Sequence, residues 1–222
     1  MTGHIVWDWN GTVFGDSRAL IDATIDAFAA CGLPAVTRAA YQRHHTQPIT
    51  TFYERLAGRP LTGDEQRRLD ECFRAAYARH RTAVTLTADA IDAFSRWTAA
   101  GGRQSLLSMY PHEQLVPLIA AAGIGHHFTR VDGSTGRDLA HKAPHLRRHL
   151  HEQGIAAHHA VVVGDSFDDA RAARECGVRC VLYHPGEDAL HARDHFADAG
   201  VPVVATLTAA VELLLSRPAP SS

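Results

Sequence analysis

Lysine is nearly absent from this chain: of the 22 basic residues among 222, only Lys142 is lysine and the rest are arginine. Other absences each close off a class of protein. No long basic run occurs, and 22 basic residues face 24 acidic ones, so no electrostatic surface for nucleic acid is expected. No apolar stretch approaches the ~20 residues that span a bilayer. The first residues also lack a charged start followed by an apolar run, so the expectation is a cytoplasmic protein with no membrane partner. Cys31, Cys72, Cys176 and Cys180 contain no CxxC pair, which suits neither a zinc site nor a disulfide framework and leaves four structural cysteines. A chain of this size buries about 70% of its extended surface and needs no such staple.

What is present is an alternation of short apolar runs and helical patterns. "HIVWDW" reads as a buried strand that ends at Asp8 and feeds a loop. From Asp16 the spacing of Ile21, Ile25 and Phe28 is that of a helix face, and "RAAYQRHH" and "TFYERLAG" predict two shorter helices. Thr62 and Glu65 form a capping-box pattern ahead of Leu69, Phe73 and Tyr77. A helix over about 88–100 closes at Gly101 and Gly102, after which the order becomes strand, helix, strand. Strands are expected at 103–109, near 128–131, in "HAVVVGD", in "VRCVLY" and in "VPVVATL", with helices between them and at the end. That rhythm predicts an α/β core with a mostly parallel sheet covered by helices. Residues 1–15 and 84–216 form the core, 16–83 a helical insertion over the carboxyl edge of the sheet, and 217–222 a frayed tail.

Ligands of parallel sheets bind at that edge, which directs attention to Asp8, Ser108 and Asp165 at three strand ends. Gly11 permits a tight turn after Asp8, whose successive N–H groups could form an anion nest. Carboxylates beside such a nest repel a phosphate unless a cation intervenes, and Asp165 and Asp169 add charge that Mg2+ would balance. Lys142 is either the complementary ammonium of this crevice or an ordinary residue opening a Pro-initiated helix. His145 and His149, four apart, could reach one metal, but no third ligand is evident. A polar outer face accounts for them better, with Leu146 and Leu150 facing in.

Taken together, "DWNGT" at 8–12, "LLSM" with Ser108, Lys142 ahead of a helix and "GDSFDD" at 164–169 resemble the four motifs of the haloacid dehalogenase-like hydrolase superfamily. The resemblance covers nearly the whole chain. It implies a Rossmann-like three-layer core with a helical cap between the first and second motifs, as in phosphoglycolate phosphatase-like members. It further implies that Asp8 attacks phosphorus and becomes an aspartyl phosphate, that Ser108 holds a phosphoryl oxygen, and that Lys142 neutralises charge and positions Asp8. Mg2+ would bind to Asp8, Asp165 and the Asn10 carbonyl, with Asp169 orienting the metal's water shell or Lys142. Asp168 competes with Asp169; family spacing favours Asp169. The partner is then a small phosphorylated metabolite, and the chain a monomer or homodimer.

Asn10 departs from the family pattern, which usually has an aspartate there to protonate the leaving oxygen and activate water. An amide has no such proton to exchange. Three consequences stay open: a substrate with a good leaving group or a substitute acid such as His44 or His45, a slow or degenerate phosphatase that still binds phosphate, or a related reaction. Dehalogenation leaves Asp165 and Asp169 without a purpose, and the insertion contains no lysine for a phosphonatase. Substrate contacts are expected from Trp9, Gly11 and Met109 around the nucleophile, and from Arg43, His44 and Arg55 in the insertion, with Tyr53 in its core.

Overall fold

The structure is a computed structural model that describes residues 3–46, 48–135, 141–197 and 199–216; the expected tail at 217–222 lies outside them. Six strands, β1 (His4–Trp7), β2 (Arg103–Pro111), β3 (Val131–Ser134), β4 (Ala160–Gly164), β5 (Arg179–Tyr183) and β6 (Val203–Val204), form one sheet. Its order is β3-β2-β1-β4-β5-β6 and every pairing is parallel. The α/β class expected from the alternation, and the Rossmann-like core that the resemblance implies, are therefore what is observed. β3 begins three residues later than the apolar pattern suggested, and β6 is only two residues long.

β1 lies at the centre because its four residues are all buried, a pattern that only a strand covered on both faces can sustain. Trp7 packs edge-on against Phe94, and its indole N–H donates to Gln104 Oε1 at 2.8 Å. The Gln104 amide in turn donates to the Phe94 carbonyl and to Thr98 Oγ1, so this buried side chain has partners at both ends. Helices α5 (Ala90–Ala99), α6 (His112–Ala121), α7 (Lys142–Glu152), α8 (Phe167–Glu175) and α9 (Leu207–Ser216) flank the sheet, α5 packing with α9 and α7 with α8.

The chain divides into two compact units. The second, helical unit comprises Gly15–Thr85 and Gly186–Ala197. It contains α1 (Ser17–Ala30), α2 (Arg38–His44), α3 (Ile49–Ala57) and α4 (Gly63–His80). Phe28, Tyr41, Phe52, Tyr53 and Leu69 form its core. Both reciprocal hydrogen bonds of the Thr62–Glu65 capping box are made at the start of α4. The segment 186–197 follows β5 in sequence, where the strand rhythm put it in the core, yet it packs within the helical unit. Gln42 Nε2 donates to the carbonyls of Glu187 and Ala189, and His45 Nδ1 lies 3.2 Å from His191 Nε2.

Candidate active site

β1 stops at Trp7, and the next residues turn back on themselves: the Phe14 and Thr12 N–H groups both donate to the Trp9 carbonyl. Gly11 holds φ at +71°, and a β-carbon there would fall 2.2 Å from Asp165 Oδ2. Both the left-handed backbone and the close carboxylate require glycine. The turn brings the end of β1 against the end of β4, where Trp7 pairs with Val163 and the Asp8 N–H donates to the Val163 carbonyl at 2.9 Å. Order β2-β1-β4 is the reversal point of the sheet, the place where a crevice opens beyond the strand ends.

Three carboxylates converge there. One oxygen each from Asp8, Asp165 and Asp169 lies within 4.8 Å of the others. Lys142, the first residue of α7 and 4% exposed, donates from Nζ to Asp8 Oδ1 and, at 2.5 Å, to Asp169 Oδ1. Lys142 is thus a buried bridge between two carboxylates rather than a solvated helix start. Burial works against its charge, but Asp169 and Asp8 outweigh that and raise its pKa, so it stays an ammonium. Burial raises the Asp8 carboxyl above its ordinary range, with Lys142 opposing the shift and Asp169 adding to it.

Asp169 is separated from Asp168 by its bonds. Ser166 caps α8, accepting from the Asp169 N–H, while Asp169 Oδ2 accepts from the Ser166 N–H and, at 2.6 Å, from its hydroxyl. Both Asp169 oxygens are thus occupied, one by Lys142 and one by Ser166. Asp168 points elsewhere and pairs with Arg171 at 2.5 Å. Gly164 makes room, since a β-carbon there would lie 2.3 Å from the Asp169 carboxyl carbon. Sequence reasoning passed over Ser166, although Ser-x-x-Asp before a helix was a readable capping signal. It also passed over Thr12, fully buried with its hydroxyl 3.4 Å from Asp165 Oδ1.

The other expected residues divide by unit. Ser108 is buried near the end of β2, and its Oγ accepts from the Tyr110 N–H at 3.0 Å; Met109 beside it is half-buried. Trp9 is buried and stacked on Phe14, with ring centroids 5.0 Å apart. Asn10 is half-buried and its backbone bridges to Phe14. Arg43, His44 and Arg55 belong to the helical unit, in the last turns of α2 and α3, where the two arginines are exposed and His44 is half-buried. His45 is committed inside that unit to Tyr41 and His191, and burial, with His195 adding, lowers its pKa to about 4. It is therefore neutral near pH 7, a poor source of a proton.

His145 and His149 do not form the polar outer face expected of them. Both are buried, His149 completely. His149 Nδ1 lies 2.7 Å from Asp132 Oδ2 and its Nε2 lies 2.7 Å from Ser105 Oγ, which meets His4 Nε2 at 2.7 Å on its other side. Lys142, His145, Leu146, His149 and Leu150 follow the i, i+3, i+4, i+7 spacing of one helical stripe, a signal that residue type concealed.

A cluster of three carboxylates against one ammonium carries two formal charges in excess. That donor set, hard oxygens around a strand end, suits a divalent cation such as Mg2+. The arrangement of nucleophile-like aspartate, lysine bridge and acidic pair defines a class of hydrolase. Residues 2–177 match the model of the haloacid dehalogenase-like hydrolase family, and the chain belongs to that family. It is 27% identical over 195 residues to a phosphoglycolate phosphatase of Mesorhizobium japonicum, covering 86% of each chain. A phosphoglycolate phosphatase of Pectobacterium atrosepticum is 27% identical over 184 residues, 80% of this chain and 78% of that one. Among solved structures, a haloacid dehalogenase-like family hydrolase from Streptococcus pneumoniae superposes with a TM-score of 0.80 at 17% identity, covering 95% of this chain and 97% of its own. A hydrolase from Pseudomonas syringae gives a TM-score of 0.75 at 16% identity over 97% and 99% of the two chains. Among the described residues no helix is long and apolar enough to cross a membrane.

Proposed function

We propose that this haloacid dehalogenase-like phosphatase hydrolyses a small phosphate monoester through an aspartyl phosphate at Asp8, with Mg2+ bound by Asp8, Asp165 and the Asn10 carbonyl. The observation that carries the reading is the Lys142 bridge between Asp8 and Asp169 beside Asp165. An Asp8 oxygen attacks phosphorus as the ester P–O bond breaks, and water later attacks the phosphorus of the acyl phosphate to return the carboxylate and release phosphate. Mg2+ would offset the charge of carboxylates and phosphoryl oxygens. Lys142 orients Asp8 and stabilises the growing negative charge, and Asp169 holds Lys142 and would orient the metal's water shell. Ser108 accepts from Tyr110, which leaves its own hydroxyl hydrogen to donate to a phosphoryl oxygen. Arg43, His44 and Arg55 are the proposed contacts for an anionic leaving group. The relatives' names make small phosphorylated carboxylates the first substrates to try.

Asn10 favours a second reading, a catalytically weak protein that binds a phosphorylated metabolite. Phosphate release from a panel of phosphorylated carboxylates and aryl phosphates, with Mg2+ or with chelator, separates the two. Metal-dependent turnover supports the enzyme; metal-dependent binding without turnover supports the alternative. Asn10→Asp is expected to speed esters of poorly acidic alcohols by ~10^2-fold or more and activated aryl esters much less. An equal gain across leaving groups would mean that position 10 is not the missing acid.

A further inference from the structure

The loop that follows Asp8 is gripped by a residue that the catalytic reading does not use. Two consecutive carbonyls of the loop accept from Thr87, which donates from its hydroxyl to the Thr12 carbonyl at 2.5 Å and from its N–H to the Val13 carbonyl at 2.9 Å. Thr87 lies just before α5, and its own carbonyl accepts from the Ala90 N–H at 2.9 Å, which ties it to the start of that helix. The double grip needs a hydroxyl: valine, of the same shape, would keep the N–H bond and lose the other. Thr12, fully buried, is the residue whose own hydroxyl donates to Asp165 Oδ1 at 3.4 Å. That separation is near the limit for a hydroxyl donor, so the bond depends on tenths of an ångström in the placement of Thr12. The other Asp165 oxygen, Oδ2, lies where a β-carbon on Gly11 would fall 2.2 Å away. Thr87, Thr12 and Asp165 therefore form a line of hydrogen bonds that runs from the start of α5 to one of the three clustered carboxylates.

We propose that Thr87 is a positioning residue for the metal site: by fixing the Thr12 backbone it keeps the Thr12 hydroxyl on Asp165 and so sets the direction of that carboxylate. The inference rests on the proposed reading of Asp165 as an Mg2+ ligand. Thr87 acts through Thr12 and has no part in the chemistry. Groups that orient a metal's ligands change its affinity by about 10- to 100-fold when they are removed. Thr87 stands one hydrogen bond further out than such a group, so the lower end of that range is expected.

The test titrates the full chain with Mn2+ in the absence of substrate and follows the free ion by electron paramagnetic resonance. Thr87→Val should bind Mn2+ roughly 10-fold more weakly than the wild type, and Thr87→Ser, which restores the hydroxyl, within about 3-fold of it. Thr87→Ala should lose as much as Thr87→Val and decides the matter if the valine variant does not fold. Thr12→Val should also bind weakly, and adding Thr87→Val to it should cost less than about 2-fold more, because the two residues act in series. Losses that simply multiply in the double variant would mean that Thr87 does not act through Thr12, and would overturn the proposal. So would a Thr87→Val protein with a lowered urea midpoint but wild-type Mn2+ affinity, the result of a merely structural role. Wild type that takes up no Mn2+ would remove the metal reading and this inference together, whereas wild-type binding with an unchanged Thr87→Val would remove the inference alone.

Discussion

Where β1 and β4 end, three carboxylates crowd one ammonium; toward the start of β1 and β2, four buried side chains form a hydrogen-bonded chain on the same sheet. Helix α7 serves both, giving Lys142 to the first group and His149 to the second. In the chain, Arg130 donates to Asp132 at 2.5 Å, Asp132 accepts from His149 Nδ1, and Ser105 links the two histidines. The Ser105 hydroxyl can accept from one ring and donate to the other, and the carboxylate of Asp132 accepts from the ring of His149. Burial opposes charge on Asp132, but His149 and Arg130 pull its pKa down to about 2, so the one carboxylate has its cation. This network is closed, and no reacting group could reach it, because Ser105 is fully buried. The other retains excess negative charge, an arrangement that makes sense only beside a cation or a ligand. A serine, a histidine and an aspartate in a row are therefore a strut here, while the less familiar cluster is the proposed site.

Mutation should separate the two. Asp8→Asn is expected to cost the most turnover, on the order of 10^5-fold or more, because it removes the attacking atom. It should leave the thermal midpoint equal or higher, because it relieves carboxylate crowding. Retained phosphate release in a clean preparation would break the assignment. Lys142→Ala strands Asp8 and Asp169 without their shared cation. It should lower activity about 10^3-fold and cost about 3–5 kcal/mol in urea unfolding. A variant that loses activity but no stability would mean that the lysine bridge is weaker than its geometry implies. His149→Ala opens a cavity and leaves Asp132 and Ser105 short of a partner. It should destabilise by about 2–4 kcal/mol while changing turnover less than about 10-fold. A loss as large as that of Lys142→Ala in turnover would erase the distinction between strut and site.

The smallest effect concerns pH. Burial holds the His4 pKa down to about 4, with His149 and Arg103 adding to the shift, against an ordinary value of 6.5. Between those values the unfolded chain takes up a proton that the folded chain refuses. Stability from this source is therefore complete above pH 6.5 and declines as pH falls toward 4. His45 acts with the same sign in the helical unit. His4→Gln, which keeps a donor for Ser105 but cannot titrate, should flatten part of the decline in urea midpoint between pH 7 and 4; an unchanged slope would remove His4 from the account.

Much of the candidate site was legible because its residues announce themselves locally. A carboxylate after a buried strand, a glycine that a tight turn requires, and one lysine among arginines are features of a few adjacent positions. The Thr62–Glu65 cap was readable for the same reason. What stayed hidden depends on contacts between distant segments. His149 looked like a surface residue because histidine usually is one, and its partners Ser105 and Asp132 lie on two other elements. Gly186–Ala197 has no periodicity that would assign it to the helical unit; Gln42 and His45 hold it there across some 145 residues.

Helix α7 also fixes a phase. Lys142 and His149 are seven residues apart, about two turns or ~10 Å along the axis, and they share a face because seven is nearly a whole number of turns. One residue inserted between them would swing the ammonium by about 100° around the helix while the histidine stayed anchored. Two inserted residues would turn it through about 200°, to the opposite side. The segment behaves as a toothed gauge: its composition can drift, but its length can change only in whole steps, and even then the ammonium would be carried past the carboxylates it must meet.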